Sequence, residues 1–166
     1  MATRHRGTVK EKRALDAYIA LMRAAEAVTA RTHGHLLPAG LTIGQFGALE
    51  ALFHLGPMRA TELARKVLRS PGNMTTVLDN LEKAGLVRRS QQAEDRRCTT
   101  VTLTVRGAAL MRDVFPLHVE GMVREWEVLT AAEQEELKRL CRKLGVGAAA
   151  EGRSLSRAQK VLIRRI

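Results

Sequence analysis

Residues 70–85 hold the feature that most limits what this chain can fold into, a helix with both ends marked. Ser70 is a good N-cap, and Pro71 suits the first helical position, where its missing N–H costs nothing. Gly85 stands where a glycine in the left-handed conformation ends a helix. Between them Met74, Val77, Leu78 and Leu81 recur at three- and four-residue steps and form one apolar stripe. The stripe anchors the helix on a domain and turns Gly72, Asn73, Thr75, Thr76, Asp79 and Asn80 outward.

The flanking sequence supplies that domain. Leu15, Tyr18, Ile19, Met22 and Ala25 predict an amphipathic helix running to about Thr32, broken by Gly34 to Gly40 with Pro38. Ile43, Phe46, Leu49, Leu52 and Phe53 restart the helical period until Gly56-Pro57, and a short helix follows from Ala60 to Val67. Val87 to Ser90 and Thr99 to Leu103 are β-branched segments around a polar stretch, Gln91 to Arg97, which together predict a hairpin with a charged tip. Thr104 can cap a long helix to about Val128, and Thr130 with Glu133 has the spacing of a capping box for a last helix. The fold class is mostly α with a small β-hairpin wing: a winged helix-turn-helix over 41–104, a basic N-terminal arm at 1–13, and a basic tail at 146–166. The apolar stripes of the outer helices (Leu15, Ile19 and Met22; Leu137, Leu140 and Leu144) exceed what so small a domain covers alone and predict a two-fold dimer.

Charge selects the class of partner. Lys and Arg number 28 against 17 Asp and Glu, a formal charge of +11 that points to a polyanion, either nucleic acid or an acidic membrane surface. Aromatic residues make up only 3% of the chain, too few for the stacking platforms that readers of unpaired bases use. Duplex DNA fits the outward face of the 70–85 helix: Asn73 can bond an adenine edge, Thr75 and Thr76 can bond a base or touch a thymine methyl, and Ser70 can bond a phosphate. The same face would also suit an ordinary solvated helix. The hairpin tilts the choice, because Arg88 and Arg89 lie on its incoming strand and Arg96 and Arg97 at its tip, where arginine can enter a narrow minor groove with a neighbouring carboxylate holding its guanidinium.

Other classes find little support. No glycine-rich phosphate loop, nucleophile elbow or Cys–His motif is present, so neither an enzyme nor a cofactor is expected. His33-Gly34-His35, His54 and His118 form no compact ligand set, so no metal is expected either. Two cysteines do not make a secreted disulfide scaffold, and no apolar stretch follows the basic start or approaches a membrane span, which points to the cytoplasm. A membrane-surface protein using its basic ends stays open as an alternative, although it leaves the capped helix and the hairpin unexplained.

The run Leu63-Ala64, then Ser70-Pro71-Gly72-Asn73-Met74-Thr75-Thr76-Val77-Leu78-Asp79-Asn80-Leu81-Glu82-Lys83-Ala84-Gly85-Leu86-Val87, then Asp95-Arg96-Arg97 and Leu103-Thr104, resembles the MarR family of bacterial transcriptional regulators over roughly residues 12–145. Its Gly-Asn-Met-Thr helix start is similar to a branch that includes regulators of quinone and phenolic stress. The resemblance implies a homodimer interlocked through 14–36 and 105–145, reading a pseudo-palindromic operator. It also implies Ser70, Gly72, Asn73, Thr75 and Thr76 at the major groove, with Arg97, oriented by Asp95, in the minor groove. Members commonly repress efflux, detoxification or stress genes and release DNA on sensing a small, often phenolic, ligand or an oxidant. A cleft lined by His33, Phe46, Phe53 and Met111 is the expected effector site. Oxidant sensing would fall to Cys98, beside the positive field of Arg96 and Arg97, while Cys141 is expected as a small core residue of the last helix.

Overall fold

The computed structural model describes residues 4–36, 38–67, 70–91 and 99–150. Its elements follow one another as α1 (Val9–Thr32), a 3₁₀ turn (Gly34–Leu36), α2 (Ile43–Leu55), β1 (Met58–Arg59), α3 (Ala60–Lys66), α4 (Pro71–Lys83), β2 (Val87–Gln91), β3 (Thr99–Leu103), α5 (Val105–Trp126) and α6 (Ala131–Ala150). Two compact units divide at Glu125 and Trp126.

Local chemistry sets most of the boundaries. Thr8 and Glu11 form a reciprocal capping box, with Glu11 N donating to Thr8 Oγ1 (3.2 Å) and Thr8 N donating to Glu11 Oε2 (2.7 Å). Helix α1 therefore begins at Val9, and Lys10, Lys12 and Arg13 of the expected basic arm lie in its opening turns. Thr42 and Gln45 open α2 in the same way, at 3.2 and 2.8 Å. At the far end of α4, Gly85 takes φ +68°; its N–H reaches Glu82 O (2.9 Å) and the N–H of Leu86 reaches Leu81 O (2.9 Å), the paired bonds of a Schellman stop.

The sheet is antiparallel in the order β1-β3-β2. Val87 faces Leu103 and Arg89 faces Val101, while Met58 of β1 faces Val101 from the other side. β1 is an element the sequence does not predict, since two residues after a Gly-Pro turn carry no strand signal of their own. The core joins α2, α3, α4 and the sheet around Phe46, Leu49, Leu63, Met74, Leu78 and Leu81, all nearly inaccessible, and Val101 and Met111 close it.

A three-way joint ties α4, the sheet and α5 together. Thr104 N donates to Leu86 O (3.1 Å), and Thr104 Oγ1 donates to Gly85 O (2.7 Å) while accepting from Gly107 N (3.0 Å). Gly107 packs so closely there that a Cβ would stand 2.0 Å from Leu86 O. At the other end of α5, Arg31 Nε donates to both oxygens of Glu125 (2.8 and 2.9 Å), joining α5 to the C-terminal turn of α1.

In the second unit α6 opens with the expected capping box, Thr130 N donating to Glu133 Oε2 (2.8 Å) and Glu133 N to Thr130 Oγ1 (3.3 Å). Cys141 is exposed rather than a core residue, because α6 presents its apolar positions Leu140 and Leu144 to solvent within one chain. Tyr18 and Met22 on α1, and Leu117 and Val123 on α5, are likewise uncovered. Among the described residues no helix is long and apolar enough to cross a membrane.

Candidate nucleic-acid interface

Helix α4 has the two faces that its sequence implies. Met74, Leu78 and Leu81 are buried, whereas Gly72, Asn73, Thr75, Thr76 and Asn80 are exposed. Ser70 Oγ accepts from Asn73 N at 3.3 Å, so the hydroxyl closes the helix start while its own hydrogen can still be donated outward. The exposed groups are short and uncharged, suited to hydrogen bonding at a base edge rather than to bulk attraction.

The strand beside α4 separates its two arginines. Side chains alternate along β2, so Val87 and Arg89 point to the core side and Arg88 and Ser90 point away. Arg88 is exposed, as a phosphate contact would need. Arg89 faces the other way. Its Nε and Nη2 reach Glu82 Oε2 at 2.8 and 2.6 Å, its backbone N–H donates to Glu82 Oε1 at 2.9 Å, and Nη2 also reaches Asp79 Oδ1 at 2.7 Å. The Arg89 side-chain and backbone donors hold the Glu82 carboxyl below the usual glutamate range, and Glu82 in turn raises Arg89. In this geometry the Arg89 guanidinium, on the core-facing side of the sheet, is engaged by two carboxylates of α4 and is not turned outward like Arg88. Asp79, counted among the outward polar groups, is drawn into the same cluster. The signal that could have shown this is Val87, whose burial sets the face that Arg89 shares.

Asp95, Arg96, Arg97 and Cys98 lie outside the described residues, as does most of the basic tail beyond residue 150.

A separate cavity of about 550 Å³ opens in the first unit, between the end of α1, α2, α3 and α5. His33 and Phe46 line it as expected. Phe53 and Met111 do not. Phe53 sits two turns further along α2, its ring centroid 5.2 Å from that of His54 and 6.3 Å from that of Phe115, and Met111 is a fully buried core residue. The residues that sequence reading missed are His118 and Met122 on α5 and Lys66 and Val67 at the end of α3. His118 is buried, with ring centroids 4.6 Å from Phe46 and 5.6 Å from His33. His33 Nδ1 lies 2.8 Å from Thr29 O; since a carbonyl only accepts, that nitrogen carries the hydrogen. Apolar walls with imidazoles, Lys66 and Glu50 suit an organic molecule bearing a few polar groups. Among the described residues no group of three or more His, Cys, Asp or Glu is placed to hold a metal ion.

Comparison with known proteins supplies a context for both sites. The profile of the MarR family matches residues 41–99. The HTH-type transcriptional regulator MhqR of Bacillus subtilis is 30% identical over 137 residues, which cover 82% of this chain and 94% of the relative. Among solved structures, the fold is similar to Sco3205, a MarR family transcriptional regulator from Streptomyces coelicolor in complex with DNA (TM-score 0.76, 25% identity, 86% of this chain and 91% of that one). It is also similar to NadR in complex with 4-hydroxyphenylacetate (TM-score 0.67, 27% identity, 87% of this chain and 97% of that one).

Proposed function

The chain belongs to the MarR family of DNA-binding transcriptional regulators, and from that premise we propose that it is a ligand-responsive homodimeric repressor of stress, efflux or detoxification genes, acting in the cytoplasm on a pseudo-palindromic operator. The observation that carries this reading is the capped helix α4, whose neutral groups Asn73, Thr75 and Thr76 are exposed, on a strongly basic chain in which Arg88 of the wing strand is exposed as well. In this reading Asn73, Thr75 and Thr76 meet base edges, Gly72 allows close approach of the helix start, and Ser70 donates its hydroxyl hydrogen to phosphate. Arg88 and Arg96 add phosphate contacts, and Arg97, held by Asp95, enters the minor groove.

Dimerisation is supported by the uncovered apolar side chains of α1, α5 and α6, which a second copy would bury. An organic effector is supported by the cavity between α1, α2, α3 and α5 and by the likeness to NadR, which was solved with 4-hydroxyphenylacetate. The cavity wall includes Lys66 and Val67, just before the segment that leads into α4, so a ligand there can bias how the helix is presented.

The test is a retardation assay on DNA upstream of the protein's own gene, beside a scrambled duplex and anionic vesicles. Selective retention of the upstream duplex, relieved by a small phenolic acid and less readily in Lys66→Ala, is the expected result. Equal binding to scrambled DNA, or binding to vesicles alone, contradicts the proposal.

A further inference from the structure

The Arg89 cluster has more to do than hold charge. Glu82 and Asp79 are one turn apart on α4, the helix proposed to read bases, and Arg89 lies on β2, the strand that leads into the wing. One guanidinium engages both carboxylates, and the same residue's backbone N–H adds a further bond to Glu82. Each bond involves an ionised group, and together they fix orientation as well as distance, because the planar fork allows few alternatives. Below this cluster the strand is anchored by Val87 and by the pairing of Arg89 with buried Val101. Within the described residues, these bonds join the half-buried flank of α4, next to its exposed face, directly to the wing strand.

We infer that Arg89 is a positioning residue for DNA recognition: with Glu82 and Asp79 it locks β2 to α4, so that wing and reading helix meet the duplex as one body. It acts through the two carboxylates and not through a phosphate. The inference rests on the proposal that α4 reads bases. Its consequence is specific. Misaligning the wing by even an ångström sacrifices contacts that need both elements in register, so operator binding suffers more than sequence-independent binding, which depends chiefly on the number of phosphates neutralised.

The charge-preserving Arg89→Lys separates this role from a phosphate contact. Lysine keeps the positive charge but cannot present Nε and Nη2 together to Glu82 and Asp79. The probe is the duplex that the wild-type protein enriches from a random-sequence pool, with a scrambled duplex of the same length as reference. Binding is followed over a salt series, and circular dichroism checks that each variant is folded. The lock predicts that Arg89→Lys, Arg89→Ala and Glu82→Ala each lower the operator-to-scrambled ratio by roughly tenfold or more, the effect of losing one or two charged hydrogen bonds. It predicts an unchanged salt slope for all three, and a double variant Arg89→Ala/Glu82→Ala no worse than Arg89→Ala. A wild-type ratio in Arg89→Lys overturns the inference. So does a salt slope flattened by about one unit per half-site in Arg89→Ala, or an affinity gain in Glu82→Ala, since both mark a phosphate contact. Asn73→Ala serves as the control. If it loses the ratio while Arg89→Lys keeps it, only the lock fails. If neither loses it, the base-reading role of α4 fails as well.

Discussion

Gly107→Ala tests the joint on which the wing and α5 depend. In most helix interiors this change stabilises by about 1 kcal/mol, through alanine's better propensity. Here the new Cβ would stand 2.0 Å from Leu86 O and 3.2 Å from Leu103 Cδ2. The first distance is over an ångström short of the roughly 3.3–3.6 Å at which carbon and carbonyl oxygen normally meet. Since Leu86 O is backbone held by the stop of α4, the start of α5 must move instead. That movement strains the Thr104 N bond to Leu86 O (3.1 Å) and the Thr104 Oγ1 bond to Gly85 O (2.7 Å), each a contribution of about 1 kcal/mol. Overpacking adds about 1–3 kcal/mol, so with the propensity gain offset the net loss is about 2–4 kcal/mol. Gly121 lies in the same helix, and a Cβ there would meet nothing nearer than Thr32 O at 4.0 Å. Gly121→Ala should therefore be neutral or stabilising by up to about 1 kcal/mol. Urea unfolding followed by circular dichroism, at one fixed protein concentration, measures both. Equal stability of the two variants would refute the reasoning, because only local space separates them.

Three further outcomes are expected. Replacing Arg97 by Ala should weaken operator binding strongly with helix content and assembly unchanged, and Asp95→Ala should do less because the arginine is still present; equal affinities of wild type and Arg97→Ala at matched salt would contradict the minor-groove assignment. Because Arg89 lowers the Glu82 carboxyl, the stability it contributes is fully present above the ordinary glutamate range, near 4.3, and is lost as pH falls through the lower folded value; Glu82→Ala should flatten the stability–pH curve in that acid window, and a curve parallel to wild type there would count against the ion pair. Sedimentation should find a dimer at micromolar concentration that Tyr18→Glu with Met22→Glu converts to monomer, whereas a wild-type monomer that binds DNA tightly would contradict the dimer.

What could be read from sequence was what local chemistry decides. Ser70, Gly85, Thr104 and the Thr130–Glu133 box mark helix ends because each acts within a few residues of itself, and all four do so in the structure. β1 is not legible in the sequence because its partner, β3, is remote along the chain and two residues give no alternation to read. The Arg89 ion pairs are hidden for a related reason: the pattern of β2 alone does not say which of Arg88 and Arg89 faces α4, and the burial of Val87 fixes it. In the cavity, His33 and Phe46 stand near the ends of elements that meet there. His118 and Met122 depend on how α5 is rotated against α2, which periodicity alone leaves open. Cys141 shows the limit from the other side, since an apolar helical stripe does not say whether its cover comes from the same chain.

The claim that α4 reads bases is tested most directly by Asn73→Ala and Thr76→Ala on operator and scrambled duplex across a salt series. Both side chains are short, neutral and exposed, so neither contributes to the counterion release that sets the salt slope. If they face base edges, each variant should lose on the order of 1–3 kcal/mol on the operator and almost nothing on scrambled DNA, with parallel salt slopes throughout. If both affinities fall together, or neither falls, α4 does not read sequence.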